Sequence, residues 1–353
     1  MTIAEVAFGR REGTTKLWYQ NIPVAYWVAA IFLLILPIFA NGFVLNLIFA
    51  RTFFLGMIAL SLMFLAGYGG MVSLIQMTIA GLAGYMVAIF GDSAITSISL
   101  GWPWYVNIPI ALIIAVLFAT ATGWLAVRTE GIYTIMITLA IAAAFFYFAR
   151  QNYVVFNGFQ GFNSVLPPKL FGVDWRGDIA FYYLTLFWAA LSFLIVTYIS
   201  RAPFGLALQG VRDNARRMAA LGFNVTAHRV AAYSFAAIIA AIGGILLTWQ
   251  TAQISPGTAG IDPTIDILII AVVGGMRRPI GPFIGAFLYV VLDTFAKDIL
   301  LSLGLSGDRF QLLIGLGFLA VVFFSPDGLL GLWERLKQSR HRDPLLDRGG
   351  RQL

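Results

Sequence analysis

Apolar residues fall along this chain in long blocks. They do not show the alternation of a half-buried strand or the three-to-four spacing of a surface helix. Ten blocks, at about residues 24–40, 52–68, 72–90, 107–127, 131–149, 179–199, 230–249, 264–275, 280–297 and 310–325, approach the length that crosses a hydrocarbon core about 30 Å thick. The pattern predicts an all-α, polytopic membrane protein with about ten transmembrane helices. Several blocks are shorter than the usual ~20 residues, and the one at 264–275 ends on Gly274-Gly275. Short, broken or strongly tilted helices are expected there.

The polar positions between the blocks set the sidedness, because Lys and Arg are retained in cytoplasmic loops while Asp and Glu count for little. With the N-terminus inside, the cytoplasm receives Arg10, Arg11, Lys16, Arg128, Arg201, Arg212, Arg216, Arg217, Arg229, Arg277, Arg278, Arg335, Lys337, Arg340, Arg342, Arg348 and Arg351. The outside receives only Arg51, Arg150, Lys169, Arg176, Lys297 and Arg309. This bias supports an even number of spans with both termini cytoplasmic. The expected organisation is a cytoplasmic segment over 1–23, a transmembrane domain over 24–331 and a charged cytoplasmic tail over 332–353. A lead-in of 23 residues is long for a secretory n-region, so the first block reads as a span and not as a cleaved signal. Two loops are long, the outer one at about 150–178 and the inner one at 200–229, yet neither holds a soluble domain.

Composition removes further options. The 353 residues are 60% hydrophobic and 11% charged, with a mean hydropathy of +0.86, which excludes a water-soluble fold. The formal charge of +7 is accounted for by the inner loops, so nucleic acid is not an expected partner, whereas membrane lipid is. Cysteine is absent and the histidines are His228 and His341, which leaves no thiol chemistry and no Cys/His metal cluster. The four lysines are followed by Leu17, Leu170, Asp298 and Gln338, so no glycine-rich loop ends in the Gly-Lys-Ser/Thr that holds nucleotide phosphates. With no convergent acids, bases or metal ligands either, the chain is not expected to be an enzyme or to carry a cofactor.

The remaining polar features are few. Asp262 and Asp266 stand four apart near the outer start of the eighth span; they are either solvated groups at a helix mouth or a cation or proton site. Asp293 and Lys297, also four apart, are expected to pair internally. Gly67-Tyr68-Gly69 shares three residues with a potassium-channel filter but lies at an inner helix end, so a break at Gly67, Gly69 and Gly70 is the better reading. Gly281 and Gly285 form a small-xxx-small pair suited to close helix packing. In the inner loop Val211, Ala215, Met218 and Ala219 recur at helical spacing, with Arg212 and Arg216 on another face, Asp213 able to pair with Arg217, and Gly222 as terminator. The expected short amphipathic helix would lie on anionic lipid or dock a cytoplasmic partner.

At this loop the sequence resembles the permeases of the branched-chain amino acid class of ABC importers, a family that includes urea permeases. The resemblance runs from about Ala66 to Gly331. It is carried by Gly67 to Gly70, Ser73-Leu-Ile-Gln76, Gly81-Leu-Ala-Gly-Tyr85, Thr138-Leu-Ala140 and Gly158-Phe-Gln-Gly-Phe162. Further on it is carried by Pro203 to Gly205, Arg212-Asp-Asn214, Ala220-Leu-Gly222, Gly274-Gly275 with Gly281-Pro282 and Gly285-Ala286, and Phe324 to Leu329. Departures are Ile75 in place of a family glycine, Met77-Thr-Ile-Ala80 in place of a small and aromatic run, and Arg277-Arg278 in a turn usually uncharged.

The resemblance implies the bacterial plasma (inner) membrane as the location, a second homologous permease, two cytoplasmic ATPase subunits that bind ATP and Mg, and an extracytoplasmic solute-binding protein. It implies an ATPase-coupling element in Val211, Arg212, Asp213, Asn214, Ala215, Arg216, Met218, Leu221 and Gly222. For the substrate pathway it points to Ser73, Gln76, Tyr85, Thr138 and Gln160. Gly67, Gly69, Gly70, Gly274, Gly275, Gly281 and Gly285 would serve as hinges or packing sites. The competing expectations are a secondary transporter coupled to an ion through Asp266 or Asp293, and a membrane scaffold without transport.

Overall fold

A computed structural model describes residues 24–169, 174–302 and 315–316. The chain divides into two compact units, 1–42 and 43–353. In the first, helix α1 (Val24–Ile35) runs into a 3-10 turn (Leu36–Ile38) with Pro37 near its start. The second unit is built from α2 (Val44–Tyr68), α3 (Gln76–Phe90), α4 (Trp104–Ala126), α5 (Ile132–Gln151), α6 (Asp178–Arg201), α7 (Pro203–Asp213), α8 (Ala215–Ala220), α9 (Val225–Thr251), α10 (Ile261–Gly274) and α11 (Gly281–Ser302). Helices α2, α4, α5, α6 and α9 are long and apolar enough to cross a membrane, whereas α3 and the apolar part of α11 are shorter. The chain is thus the all-α polytopic protein that its hydrophobic blocks predict. The tenth block lies outside the described residues, apart from Gly315 and Leu316.

The second block is longer than its apolar core suggests, because α2 starts at Val44 and carries Asn46 and Arg51 inside the helix. Both polar groups are neutralised from other elements: Asn46 Nδ2 donates to Asp178, and Arg51 Nη1 lies 2.7 Å from Asp293 Oδ2. Arg51 therefore leaves the outer loop where the hydropathy boundary would put it. The predicted alternation of loops is otherwise visible in what meets what. At the basic end Gly67, Arg212 and Met276 converge, and Arg229 reaches Glu130 at 4.0 Å. At the opposite end the Ala94 amide donates to the Asn163 carbonyl. There β1 (Phe162–Asn163) pairs antiparallel with β2 (Gln253–Ile254), with Phe162 opposite Ile254.

Helix α3 is the hub. All of its residues but the last are buried, against α9, α4, α2 and α5. Such a position requires small contact residues, since a Cβ on Gly244 of α9 would overlap the Ala80 backbone and one on Gly84 would overlap Thr248. The matched positions 80/244 and 84/248 make α3 and α9 run in the same direction.

Two of the short helices are short because the chain re-enters before it coils. After α2, residues 69–75 fold back so that Gln76, the first residue of α3, meets Ser61 of α2. Ser61 lies seven residues before Tyr68, which puts the head of α3 about 10 Å inside the inner end of α2. After α9, the 3-10 turn Pro256–Ala259 returns as far as Gly81, well inside the outer end of α3, and α10 starts there. At the far end of α10 the corner into α11 is backbone on backbone. A Cβ on Gly274 would overlap the Gly281 carbonyl, one on Gly285 would overlap the Ile270 carbonyl, and Gly275 turns with φ of +105°. These glycines stand at packing sites.

Gly244→Val is expected to destabilise the protein by at least the ~1–3 kcal/mol of an overpacked core, because the colliding atoms are backbone. Gly257→Ala, whose added methyl would meet only Ser255 Oγ at 3.6 Å, should be neutral. Thermal unfolding and monodisperse yield in detergent compare the two.

Candidate translocation core and coupling face

Sequence places Ser73 and Gln76 at the head of α3, and the structure gathers other polar groups around them. The Leu74 amide donates to Thr138 Oγ1 at 3.1 Å, and Thr138 is itself fully buried on α5. Ser61 Oγ stands 2.9 Å from Gln76 Oε1 and 2.6 Å from the Ile58 carbonyl, and the Gln76 amide nitrogen is buried without a partner. Ser73 Oγ and Thr78 Oγ1 are likewise buried and unpartnered. The Tyr233 hydroxyl of α9, buried without a hydrogen bond of good geometry, stands beside Ser73. Toward the outer end Tyr85 is packed edge-on against Phe145, Phe156 and Phe162, with its hydroxyl unpartnered. Of the five pathway candidates, Ser73, Gln76, Tyr85 and Thr138 lie within the helix packing of this chain, and Gln160 alone is exposed at the outer end.

The inner loop differs from the single helix expected over 211–219. Pro203 opens α7 at a first-turn position where its missing N–H is harmless, and Gly205 lets α7 close onto the Ile199 carbonyl of α6. Asn214 is extended (φ −158°, ψ 93°), so the helix breaks there. Its side chain then caps α8 by accepting from the Arg217 amide at 2.9 Å. Met218 folds back onto Gly210, and Gly222 ends α8 with φ of +89° as its position predicts. Asp213 pairs with Arg212 at 2.8 Å and not with Arg217, because the break turns α8 away. Val211 is buried, so its apolar surface is already covered by this chain, and the large exposed apolar residues on this face are Leu206, Leu221 and Phe223. Arg212 also donates to the carbonyl of Gly67, and Arg216 and Arg217 are exposed. The loop is therefore tied to the end of α2, where π-helical turns over Phe64–Tyr68 loosen the normal ladder.

Residues 44–322 match the protein family described as branched-chain amino acid transport system / permease component. The chain belongs to this permease family. Among curated proteins it is similar to the probable branched-chain amino acid transport permease protein LivM of Methanocaldococcus jannaschii, with 25% identity over 280 residues, 74% of this chain and 80% of that one. It is also similar to the high-affinity branched-chain amino acid transport system permease protein LivM of Escherichia coli, with 22% identity over 77% of this chain and 65% of that one. The ribose import permease protein RbsC of Haemophilus influenzae is 21% identical over 60% of this chain and 66% of that one. No solved structure is similar to it at a significant level. The permease is a multi-pass protein of the inner membrane.

The ionisable groups at depth in this permease are organised differently from the sequence expectation. Asp293 has Arg51 of α2 as a partner, while the Lys297 side chain expected to pair with it lies outside the described residues. Tyr289, one turn before Asp293 on α11, faces Asp266 of α10. Among the described residues no group of three or more acidic or histidine side chains is arranged to hold a metal ion. Sequence reasoning missed Arg51, Ser61, Thr78 and Tyr233. An arginine seven positions into a helix otherwise apolar is itself a signal for a buried counter-ion. Tyr233 gave none, because its neighbour in the fold is 160 residues away in the chain.

Arg51→Gln should destabilise the permease by an amount near the lower end of the ~3–5 kcal/mol that follows loss of a buried counter-ion, since Arg51 is partly exposed. The double variant Arg51→Gln/Asp293→Asn should recover much of this. Unfolding midpoints of the three proteins in one detergent check the coupling.

Proposed function

We propose that this chain is a transmembrane permease subunit of an ABC importer and forms the translocation pathway for branched-chain or related amino acids, with ATP hydrolysed in partner subunits. The observation that carries this reading is the family match over 44–322, which takes in both the re-entrant helices and the inner loop. In this reading a solute-binding protein delivers substrate to the outer end, and a second homologous permease completes the membrane assembly. Two cytoplasmic ATPases, which bind ATP and Mg, serve the pair of permeases, one of them seated on α7–α8 of this chain.

The geometry gives the coupling step a physical route. Exposed Leu206, Leu221 and Phe223 offer apolar contact to an ATPase surface, and Arg216 and Arg217 offer charge. Displacement of α7–α8 is passed to α2 through Arg212 and the Gly67 carbonyl, and to α6 through Gln209, whose side chain donates to the Ser200 carbonyl at 2.8 Å. The end of α2 leads directly into the re-entrant segment 69–75 and the head of α3. A shift at the coupling face thus passes to α2 through the Arg212 side chain and from Gly67 onward reaches the membrane interior through covalent backbone.

Affinity capture of the tagged chain from its native membrane in mild detergent should co-purify a second permease and two ATPases with nucleotide-binding motifs. A reproducible monomer or homodimer would remove the importer reading in favour of a carrier working alone. Leu221→Glu should abolish ATPase recruitment. Arg212→Leu should leave recruitment and ATP hydrolysis in place but lower transport per ATP about tenfold or more, the scale of a hydrogen bond to a charged group of about 1.5–3 kcal/mol. Transport equal to wild type in Arg212→Leu would take Arg212 out of the coupling path.

A further inference from the structure

The head of α3 is a cluster of hydrogen-bond donors inside the membrane that the helix packing leaves unused. No side chain caps the first-turn amides of Gln76, Met77 and Thr78, and the helix ladder begins with the Ile79 amide on the Ile75 carbonyl. A helix N-terminus carries a partial positive charge, and its free amides are usually satisfied by a cap, by water or by an anion. Here the residue positions themselves are buried, with Gln76 only 1% exposed and Thr78 fully enclosed. The same turn presents three side chains without partners: the Gln76 amide nitrogen, Ser73 Oγ and Thr78 Oγ1. Thr138 accepts the Leu74 amide and holds the preceding turn in place. The Tyr233 hydroxyl closes the cluster on the side of α9, and one turn before it Arg229 has a buried Nε without an acceptor.

We propose that the head of α3, with Ser73, Gln76, Thr78 and the Tyr233 hydroxyl, is a transit site for the carboxylate of the transported solute. This rests on the reading of the chain as an amino acid permease and names the part of the solute that the permease itself recognises. The donors are neutral amides and hydroxyls. Such a site lowers the barrier for an anionic group at membrane depth without the tight hold of a direct arginine pair, and a conduit needs binding strong enough to admit and weak enough to release. The ammonium and the apolar side chain of the solute would face other surfaces, so this site by itself would distinguish a carboxylate from its amide and would tolerate a range of side chains. Ile75, which stands directly before the helix, contributes no polar group and so caps none of these amides.

The test uses the permease with its partner subunits, reconstituted in lipid nanodiscs. The chain has no cysteine, so Ser73→Cys carries the one thiol on this subunit. Its reaction with an anionic methanethiosulfonate (sulfonatoethyl) is compared with that of a cationic one (trimethylammonioethyl), with and without ATP, in the presence of L-leucine or L-leucinamide. The expected result is a preference of about tenfold for the anionic reagent in at least one nucleotide state, with protection by L-leucine and not by L-leucinamide. Thr78→Cys should behave alike and serves if Ser73→Cys does not assemble. Equal or faster reaction with the cationic reagent, no reaction in any nucleotide state, or equal protection by both solutes would overturn the carboxylate site. Uptake of L-leucine by the wild-type complex with its binding protein separates this from the functional reading. Uptake without the labelling preference would sink the site and leave the importer. An anionic preference without leucine protection or uptake would sink the solute assignment along with the importer reading.

Discussion

Backbone amides and carbonyls cannot go unpaired in hydrocarbon, so any stretch of this chain that is not helical at membrane depth must be shielded by the rest of it. Residues 69–75 and 252–260 are such stretches, and the architecture follows from the need to cover them. α3 and α10 begin inside the membrane only because longer helices stand around them. The cover is tightest where α9 lies on α3, and there contact is made through glycine and alanine because any larger side chain would separate the backbones. The long helices α4, α5 and α6 show the opposite pattern. They bury small or hydroxyl residues such as Ala115, Thr138 and Ala189, and expose Ile113, Leu117, Met136 and Phe187 on the surface that lipid covers.

Much of this was legible in the sequence, for reasons that can be stated. The hydrophobic blocks give the all-α polytopic class, and among the described residues the loops that the Arg and Lys distribution assigns to one side do meet on one side. Gly274-Gly275 with Gly281 and Gly285 marked a corner, and the backbone contact found there is what such small residues permit. Boundaries were less legible where polar residues are neutralised from afar. Asn46 and Arg51 look like the end of a span until Asp178 and Asp293, more than a hundred residues away, are placed against them. The break at Asn214 escaped a reading based on apolar spacing, because the apolar positions continue across it while the asparagine prefers to cap the next helix.

The candidate site shows the same division. Ser73, Gln76 and Thr138 stand out as polar residues in apolar surroundings, and the structure brings them to one turn. Their neighbours Ser61 and Tyr233 come from other helices and have no mark of their own. The charges of the inner loop were legible, whereas the exposure of its apolar residues was not: Val211 is buried within α7, while Leu221 and Phe223, on either side of the terminator Gly222, are exposed.

At the outer end the loop before α6 and the loop after α9 are stitched by a ladder only two residues long, supported by the Val165 amide on the Ala252 carbonyl and the Ala94 amide on the Asn163 carbonyl. Each such bond contributes a net stability of roughly 0.5–1.5 kcal/mol. Few as they are, these bonds do not hold the seam alone: Phe162 and Ile254 are completely buried and Phe162 packs edge-on against Tyr85, so the two distant loops are riveted to the end of α3 by side chains as well as by backbone.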